Sequence, residues 1–299
     1  MREAQKKGEV GLTNFEATTI AAFSWFARMK PLDFIIIEVG MGGRDDATNV
    51  LPKTDVAVLT GVALDHVKFL GPTLEDICSA KCGIINPHTT TAVASGAYLN
   101  ASCLNIVKER CASTGTALRV VTGCGDSDNY KAHYTALEDE VLSALGVTHQ
   151  QNHSGDTGTY LHTLRGRQEL THHPLDPTIP IILDGAHNEE GLRSLTHFIQ
   201  RTLEQRRDIT EIRFIVALSG GRSPHELFPL FLKPFSVPIA TVYPTTFRDV
   251  PEMPWVKAVD PEEAVTAARQ YDMVCATINR SQTRCRPTNS SRAMLLRQE

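Results

Sequence analysis

An acidic residue and a run of glycines stand side by side at the end of one apolar segment. The run DFIIIEV over 33–39 contains Glu38, and the glycines of GMGG over 40–43 follow at once. A carboxylate at the end of a buried segment is costly unless it is paired or bound to a cation, and glycines let a backbone approach a ligand closely. The pattern predicts a ligand or metal site, although an ordinary tight turn would use the same residues.

Two further places carry polar groups after apolar runs. Asp65 and His66 in LDHVKFLG offer a carboxylate oxygen and an imidazole nitrogen, either for a metal ion or for a structural hydrogen bond. The segment DGAHN over 184–188 precedes a predicted helix, and a helix N-terminus favours anions because its free N–H groups point at them. Simple capping by Asp184 or Asn188 is the alternative for this segment.

The elements that position these residues alternate between strands and helices. Apolar runs and helical periodicity predict strands over 33–39, 55–60 and 90–95, and helices over 14–29, 73–85 and about 98–114. Asn14 is the expected N-cap of the first helix, and Thr73 with Asp76 forms a weak capping box on the second. Such alternation predicts an α/β fold with a parallel sheet, in which ligands bind beyond the carboxyl ends of the strands.

A second α/β unit follows an irregular, Gly-, Ser- and Pro-rich stretch over 122–178, which contains one short predicted helix near 136–145. Its predicted strands cover 179–184, 211–218, 238–243 and 272–278, and its predicted helices cover 189–205, 224–232 and about 261–270. We expect two domains, residues 1–164 with an irregular linker from about 122, and residues 165–299. The Arg-rich tail from about 279 is expected to lack packed structure.

Composition excludes several classes of protein. The 299 residues carry 30 Lys and Arg against 34 Asp and Glu, and a net charge of −4 does not favour nucleic acid or a membrane surface as partner. The amino-terminal residues lack the apolar core of a secretory signal, and no apolar run reaches the roughly 18 residues of a membrane span. Seven scattered Cys indicate free thiols in a reducing compartment, so we expect the cytoplasm, with the mitochondrion as the alternative.

Read together, four segments resemble the folylpolyglutamate synthase and dihydrofolate synthase family of the Mur ligase superfamily. They are FEATTIAAFSWF, DFIIIEVGMGGRDDATNV, GVALDHVKFLGPTLEDICSAKCGII and DGAHNEEGLRSL, in this order. The likeness is close over 14–87, good over 165–200 and looser to about 277. It implies a Mur-ligase-type central parallel-sheet domain, here incomplete, followed by a smaller Rossmann-like carboxy-terminal α/β domain.

The resemblance also implies an activity. Members of this family use ATP and Mg²⁺ to activate a carboxylate as an acyl phosphate, which the amine of L-glutamate then attacks. The acid would be dihydropteroate, tetrahydrofolate or a folyl-polyglutamate. The implied partners are these small molecules, with no nucleic acid and no membrane, and the expected state is a monomer.

Roles follow from the resemblance, residue by residue. Glu38 and His66 match metal ligands, and Lys81 matches a lysine that becomes carbamylated and so serves both as a ligand and in catalysis. Asn152, Arg167 and Asp184 match ATP-binding residues, and His187 matches a catalytic neighbour of Asp184. The substrate loop that contacts the pterin matches Val39, Gly40, Gly42, Gly43, Arg44, Asp46 and Ala47.

This sequence departs from the family pattern in several places. No G-x-x-x-x-G-K-[ST] phosphate loop occurs, and the family's loop would precede the first matched segment, so we expect truncation, low solubility and negligible ligase activity. The stretch between Asn152 and Arg167 is much shorter than in the family. Lys81 is flanked by Ala80 and Cys82, where the family usually has Glu and Ala. Asp45 stands where an apolar residue is expected, and burial of its carboxylate would be unfavourable.

Two other functions therefore stay open. A non-catalytic remnant could bind a pterin or a partner. A metal-dependent hydrolase could use Glu38, His66, Asp184 and His187, and it would turn over without ATP.

Overall fold

The computed structural model describes residues 11–29, 31–122, 130–147, 165–232, 235–247, 256–271, 275 and 294–295. The chain forms two compact units, Met1–Gln150 and Gln151–Glu299. Among the described residues, no helix combines the length and apolarity needed to cross a membrane.

The first unit is built on a three-stranded parallel sheet in the order β1-β2-β3. Its elements are α1 Asn14–Phe26, β1 Thr54–Leu59, α2 Val67–Leu70, α3 Leu74–Lys81 with a 3₁₀ turn Cys82–Ile84, β2 Thr89–Ser95, α4 Ala101–Thr114, β3 Ala117–Val121 and α5 Tyr130–Ala144. Thr54 of β1 pairs with Thr89 of β2, and Thr91 of β2 pairs with Ala117 of β3. The predicted parallel α/β arrangement is confirmed.

Local signals set the helix starts in this unit. Thr73 and Asp76 form the predicted capping box of α3, with Thr73 Oγ1 accepting from Asp76 N at 3.1 Å. The first helix is different, since its N-cap is Thr13 and not the predicted Asn14. Thr13 and Glu16 satisfy each other's backbone N–H groups, which an Asn14 cap would leave without this reciprocal bond. The helix ends at Phe26, three residues before the predicted end.

The predicted strand over 33–39 is wrong. These residues form no strand, and the side chain of Ile36 is 94% exposed, with Phe34 and Ile35 about half exposed. An apolar run becomes a strand only where a neighbouring strand completes its hydrogen bonds, and within the described ranges no strand pairs with this segment. Glu38 is consequently an exposed residue and not the end of a buried strand.

The second unit contains an antiparallel hairpin and a separate parallel sheet in the order β7-β6-β8. Its elements are β4 Glu169–His173, β5 Asp176–Leu183, α6 Glu189–Gln205, β6 Ile212–Val216, α7 Pro224–Phe231, β7 Ile239–Pro244, α8 Pro261–Arg269 and β8 Met294–Leu295. Its core is mainly aliphatic and includes buried phenylalanines, of which Phe214 packs edge-on against Phe231 with ring centroids 5.1 Å apart.

Helix α6 follows the predicted 189–205 throughout, because its apolar residues repeat at helical spacing and its buried face is continuous. In the tail, Met294–Leu295 pair with Phe214 and Ile215 of β6, and the rest of the tail from about 279 lies outside the described residues. Of the predicted strand over 272–278, only Cys275 lies within the described residues, where it forms a bridge with Val242.

Candidate functional site

The glycine loop that follows Glu38 is organised by one carboxylate. Asp46 accepts from the backbone N–H of Met41 at 2.9 Å and from the backbone and hydroxyl of Thr48 at 2.9 and 2.6 Å. These bonds fold the loop around its own aspartate. The neighbouring Asp45 is exposed, so the expected cost of burying a carboxylate there does not arise.

The loop is fastened to the turn that carries Lys81. The N–H of Arg44 donates to the carbonyl of Ala80 at 2.9 Å, and the Asn49 amide donates to the carbonyl of Gly83 at 3.2 Å. A Cβ on Gly43 would lie 2.7 Å from the carbonyl oxygen of Lys81, and one on Gly83 would overlap the backbone of Arg44. Glycines at 43 and 83 therefore permit this close approach.

The Asp65–His66 segment reaches the same loop from another side. His66 has a left-handed backbone, φ 52°, and its N–H donates to the carboxylate of Asp65 at 2.8 Å. The short helix α2 that follows places Leu70 against Gly42, where a Cβ would lie 2.8 Å from Leu70 Cδ2. A non-glycine residue in this conformation costs about 1–3 kcal/mol, and such residues concentrate at functional sites.

Three predicted motifs thus meet at Gly42 and Gly43, namely the substrate loop, the His66 segment and the Lys81 turn. Glu38 and His66 are exposed, and Lys81 is half-buried. In the part of the chain that the structure describes, no three His, Cys, Asp or Glu side chains gather in a group able to hold a metal ion. The metal role of Glu38, His66 and Lys81 stays a prediction.

A second cluster forms around Asp184 in the other unit. Asp184 is buried, and its two carboxylate oxygens accept from the backbone N–H of Gln168 and of Ala186, each at 2.7 Å. Burial raises the pKa of Asp184, while these two hydrogen bonds and the charges of Arg167 and His187 oppose the rise. The Asp184 carboxylate therefore holds the DGAHN segment in place, and it interacts electrostatically with Arg167 and His187.

Arg167 and His187 both lie against Gly185 in this cluster. The guanidinium of Arg167 lies over Gly185, so that a Cβ there would overlap Arg167 Nη1. His187 Nδ1 lies 2.8 Å from the carbonyl oxygen of Gly185. The fold therefore brings Arg167 to the DGAHN segment that carries Asp184 and His187.

Asn188, and not Asp184, caps the helix that follows. Its Oδ1 accepts from the N–H of Gly191 at 2.9 Å, at the start of α6. Of the two N-caps considered from sequence, the structure therefore has Asn188. The Asp184 carboxylate instead accepts hydrogen bonds from the backbone of Gln168 and Ala186.

Gln168 is a site residue that sequence reasoning missed. It has φ +45°, is 6% exposed, and its amide donates to Ser194 Oγ at 3.2 Å. Its only sequence signal is its position directly after Arg167, because a left-handed backbone leaves no pattern in a glutamine. Asn152 lies outside the described residues.

Comparisons with known proteins identify related families and relatives. The Mur ligase middle domain matches residues 4–153, half of the chain, and the dihydrofolate synthetase C-terminal domain matches residues 168–296. The Saccharomyces cerevisiae dihydrofolate synthetase is 32% identical over 286 residues, covering 86% of this chain and 65% of the relative. The Bacillus subtilis dihydrofolate synthase/folylpolyglutamate synthase is 30% identical, covering 68% of this chain and 52% of the relative.

A solved structure extends the likeness to the fold. The Mycobacterium tuberculosis folylpolyglutamate synthase complexed with ADP has a TM-score of 0.70 at 21% identity, covering 98% of this chain and 70% of that one. The chain spans between about half and two thirds of the length of the two curated relatives named above. On the domain matches and these relatives, the chain belongs to the folylpolyglutamate synthase and dihydrofolate synthase family of Mur ligases.

Proposed function

We propose that this chain carries the folate-side machinery of an ATP-dependent ligase that joins L-glutamate to a pteroate or folate carboxylate. The reaction forms an acyl phosphate from the acid and ATP, and the glutamate amine then displaces phosphate. The observation that carries this proposal is the meeting of the substrate loop, the His66 segment and the Lys81 turn at Gly42 and Gly43. The names of the relatives support the same reaction class.

In this proposal the substrate loop binds the pterin-bearing acid. The loop is formed by Val39, Gly40, Gly42, Gly43, Arg44, Asp46 and Ala47. Asp46 holds its shape, and the buried Gly42 and Gly43 let it pack against Leu70 and the Lys81 turn. Arg44 is exposed and is free to offer its guanidinium to a carboxylate, a geometry that arginine suits.

The candidate ligand atoms of the first unit are of chemical types that can bind Mg²⁺. Glu38 would supply a carboxylate oxygen, His66 an imidazole nitrogen, and a carbamate on Lys81 two further oxygens. Bound there, Mg²⁺ would neutralise phosphate charge during phosphoryl transfer.

The second unit supplies the nucleotide side of the proposal. Arg167 would contact ATP phosphates with its planar guanidinium, and Asp184 would orient the loop beneath the nucleotide. His187 is the neighbouring candidate for proton transfer, and Asn152 for the adenine. Buried free thiols such as Cys78 and Cys103 suit a reducing compartment, and we propose the cytoplasm and a monomeric state.

One sequence feature favours a second candidate function. The sequence has no G-x-x-x-x-G-K-[ST] segment, and such a loop supplies the backbone N–H cradle that grips ATP phosphates. Without that cradle, this chain alone should bind the pterin acid or a partner and turn over negligibly.

The test is incorporation of labelled L-glutamate into dihydropteroate in the presence of ATP and Mg²⁺. We expect none with the 299-residue chain and clear incorporation once a phosphate-loop segment from the yeast relative is fused ahead of it. Lys81→Arg in the fusion should abolish incorporation, because an arginine cannot carry a carbamate. A fusion that folds yet hydrolyses ATP without incorporating glutamate would contradict the proposal.

A further inference from the structure

Two cysteines face each other directly behind the Lys81 turn. Cys78 lies in α3 and Cys82 ends it, so a spacing of four residues puts both sulfurs on one helix face. Their Sγ atoms are 3.9 Å apart, and the side chains are 0% and 2% exposed. None of the roles proposed above uses either thiol.

Backbone carbonyls accept hydrogen bonds from Cys78 of this pair and from a third thiol, Cys103. Cys78 Sγ donates to the carbonyl of Cys103 at 3.5 Å, and Cys103 Sγ donates to the carbonyl of Leu74 at 3.6 Å. Burial raises the pKa of Cys103 to about 12. The Sγ atoms of Cys78 and Cys82 face each other within hydrogen-bond distance, so this pair offers two adjacent sulfurs.

We propose that Cys78 and Cys82 form a dithiol site for trivalent arsenicals, in which one arsenic atom bridges the two sulfurs. With an organoarsenic oxide, two As–S bonds form, and the oxide oxygen leaves as water with the two thiol protons. Arsenic stays trivalent, so no oxidant is needed. A direct disulfide would require the sulfurs to close to about 2.05 Å, whereas a bridging atom spans a wider gap.

The site is coupled to the substrate loop through the backbone. Cys82 lies between Lys81 and Gly83, and the carbonyl of Gly83 accepts from Asn49 of the loop. A bridged pair would therefore fix the turn against which the loop packs. Formation of the adduct does not depend on the proposed ligase activity, and only its effect on turnover rests on that function.

The experiment uses phenylarsine oxide on the native chain without denaturant, read by intact mass and by peptide mapping. Trypsin cuts after Lys81 and separates the two cysteines, so the expected adduct links the peptides 69–81 and 82–108 through arsenic. A dithiol such as 2,3-dimercaptopropanol should remove it, and the monothiol 2-mercaptoethanol should not. An adduct that forms only in urea, or that leaves the two peptides unlinked, would overturn the proposal.

Matched serine variants assign the sulfurs. Cys78→Ser and Cys82→Ser should each lose the adduct, while Cys103→Ser, Cys111→Ser and Cys275→Ser should keep it. Loss in Cys103→Ser with retention in Cys82→Ser would show a different pair and contradict the assignment. If a variant fails to fold, the linked wild-type peptides, sequenced by fragmentation to the modified cysteines, decide the question.

Discussion

Asp46 in the first unit and Asp184 in the second each hold a loop in shape through hydrogen bonds from backbone N–H groups. Each carboxylate accepts backbone N–H groups from its own loop, at 2.9 Å for Met41 and 2.7 Å for Ala186. Charge-assisted bonds of this kind are stronger than those between neutral groups. Each aspartate thereby turns a glycine-containing segment into a fixed surface on which a ligand can be held.

Replacing Asp184 by Asn should destabilise the second unit. An amide has one oxygen, so one of the N–H groups of Gln168 and Ala186 would face an NH₂ group in a buried position, at a cost of about 1–3 kcal/mol. The free energy of unfolding from urea titration measures this. Asp208→Asn, at an exposed aspartate paired with Arg206, is the control and should change little; equal losses in both variants would refute the role of Asp184.

Sequence reasoning reached most of these residues through family resemblance and few of them through residue type alone. Asp184 and Arg167 were predicted, and the structure brings them together at Gly185. Gln168 was not predicted, because its importance lies in a positive φ and a buried amide. Such features depend on packing that no local pattern records.

At the scale of elements, the loop and the Lys81 turn form one contact built on glycines. The backbone of Arg44 occupies the space in which a side chain on Gly83 would stand. Any residue larger than glycine at 83 must push the substrate loop away from the turn. The position of the loop therefore depends on Gly83 in the Lys81 turn as well as on the residues of the loop itself.

Gly83→Ala should lower the free energy of unfolding by about 1–3 kcal/mol, the usual cost of overpacking. Gly115→Ala is the control, since its Cβ would meet nothing within 4 Å and only the positive φ of 71° opposes it. That strain costs about 1–2 kcal/mol. Urea titration of both variants measures their losses in free energy of unfolding. A smaller loss for Gly83→Ala than for Gly115→Ala would show that the loop is not held by this contact.

Elements with continuous patterns were predicted well, and those that depend on neighbours were not. Helix α6 and strands β1 and β2 follow their apolar periodicity closely. The segment 33–39 has the composition of a buried strand yet pairs with no strand within the described residues. Strand β4, with the polar sequence ELTHH, was missed because its partner β5, and not its composition, makes it a strand.

At the scale of the whole molecule, acidity should weaken the first unit through His133. This histidine is 4% exposed, and its Nε2 lies 2.8 Å from Ser95 Oγ. Burial lowers the pKa of His133 below its usual 6.5. The unfolded chain therefore binds the proton more readily, so stability present above pH 6.5 is lost as pH falls toward the native pKa.

We expect wild-type stability to fall between pH 7.5 and 5.5, and His133→Gln to reduce that fall. One proton can contribute at most about 1.4 kcal/mol per pH unit. The measurement is the urea midpoint followed by circular dichroism at each pH. His88→Gln, at an exposed histidine, should keep the wild-type slope, and an unchanged slope in His133→Gln would show that other groups dominate.

Binding of dihydropteroate to the 299-residue chain tests the central claim most directly, because it asks whether the loop held on the Lys81 turn is a folate-binding surface. Pterin fluorescence titration should show binding to the wild type and to Gly115→Ala with similar affinity. Gly83→Ala should bind at least about tenfold more weakly, a loss of about 1.4 kcal/mol. Equal affinity in all three, or no binding by the folded wild type, would contradict the account.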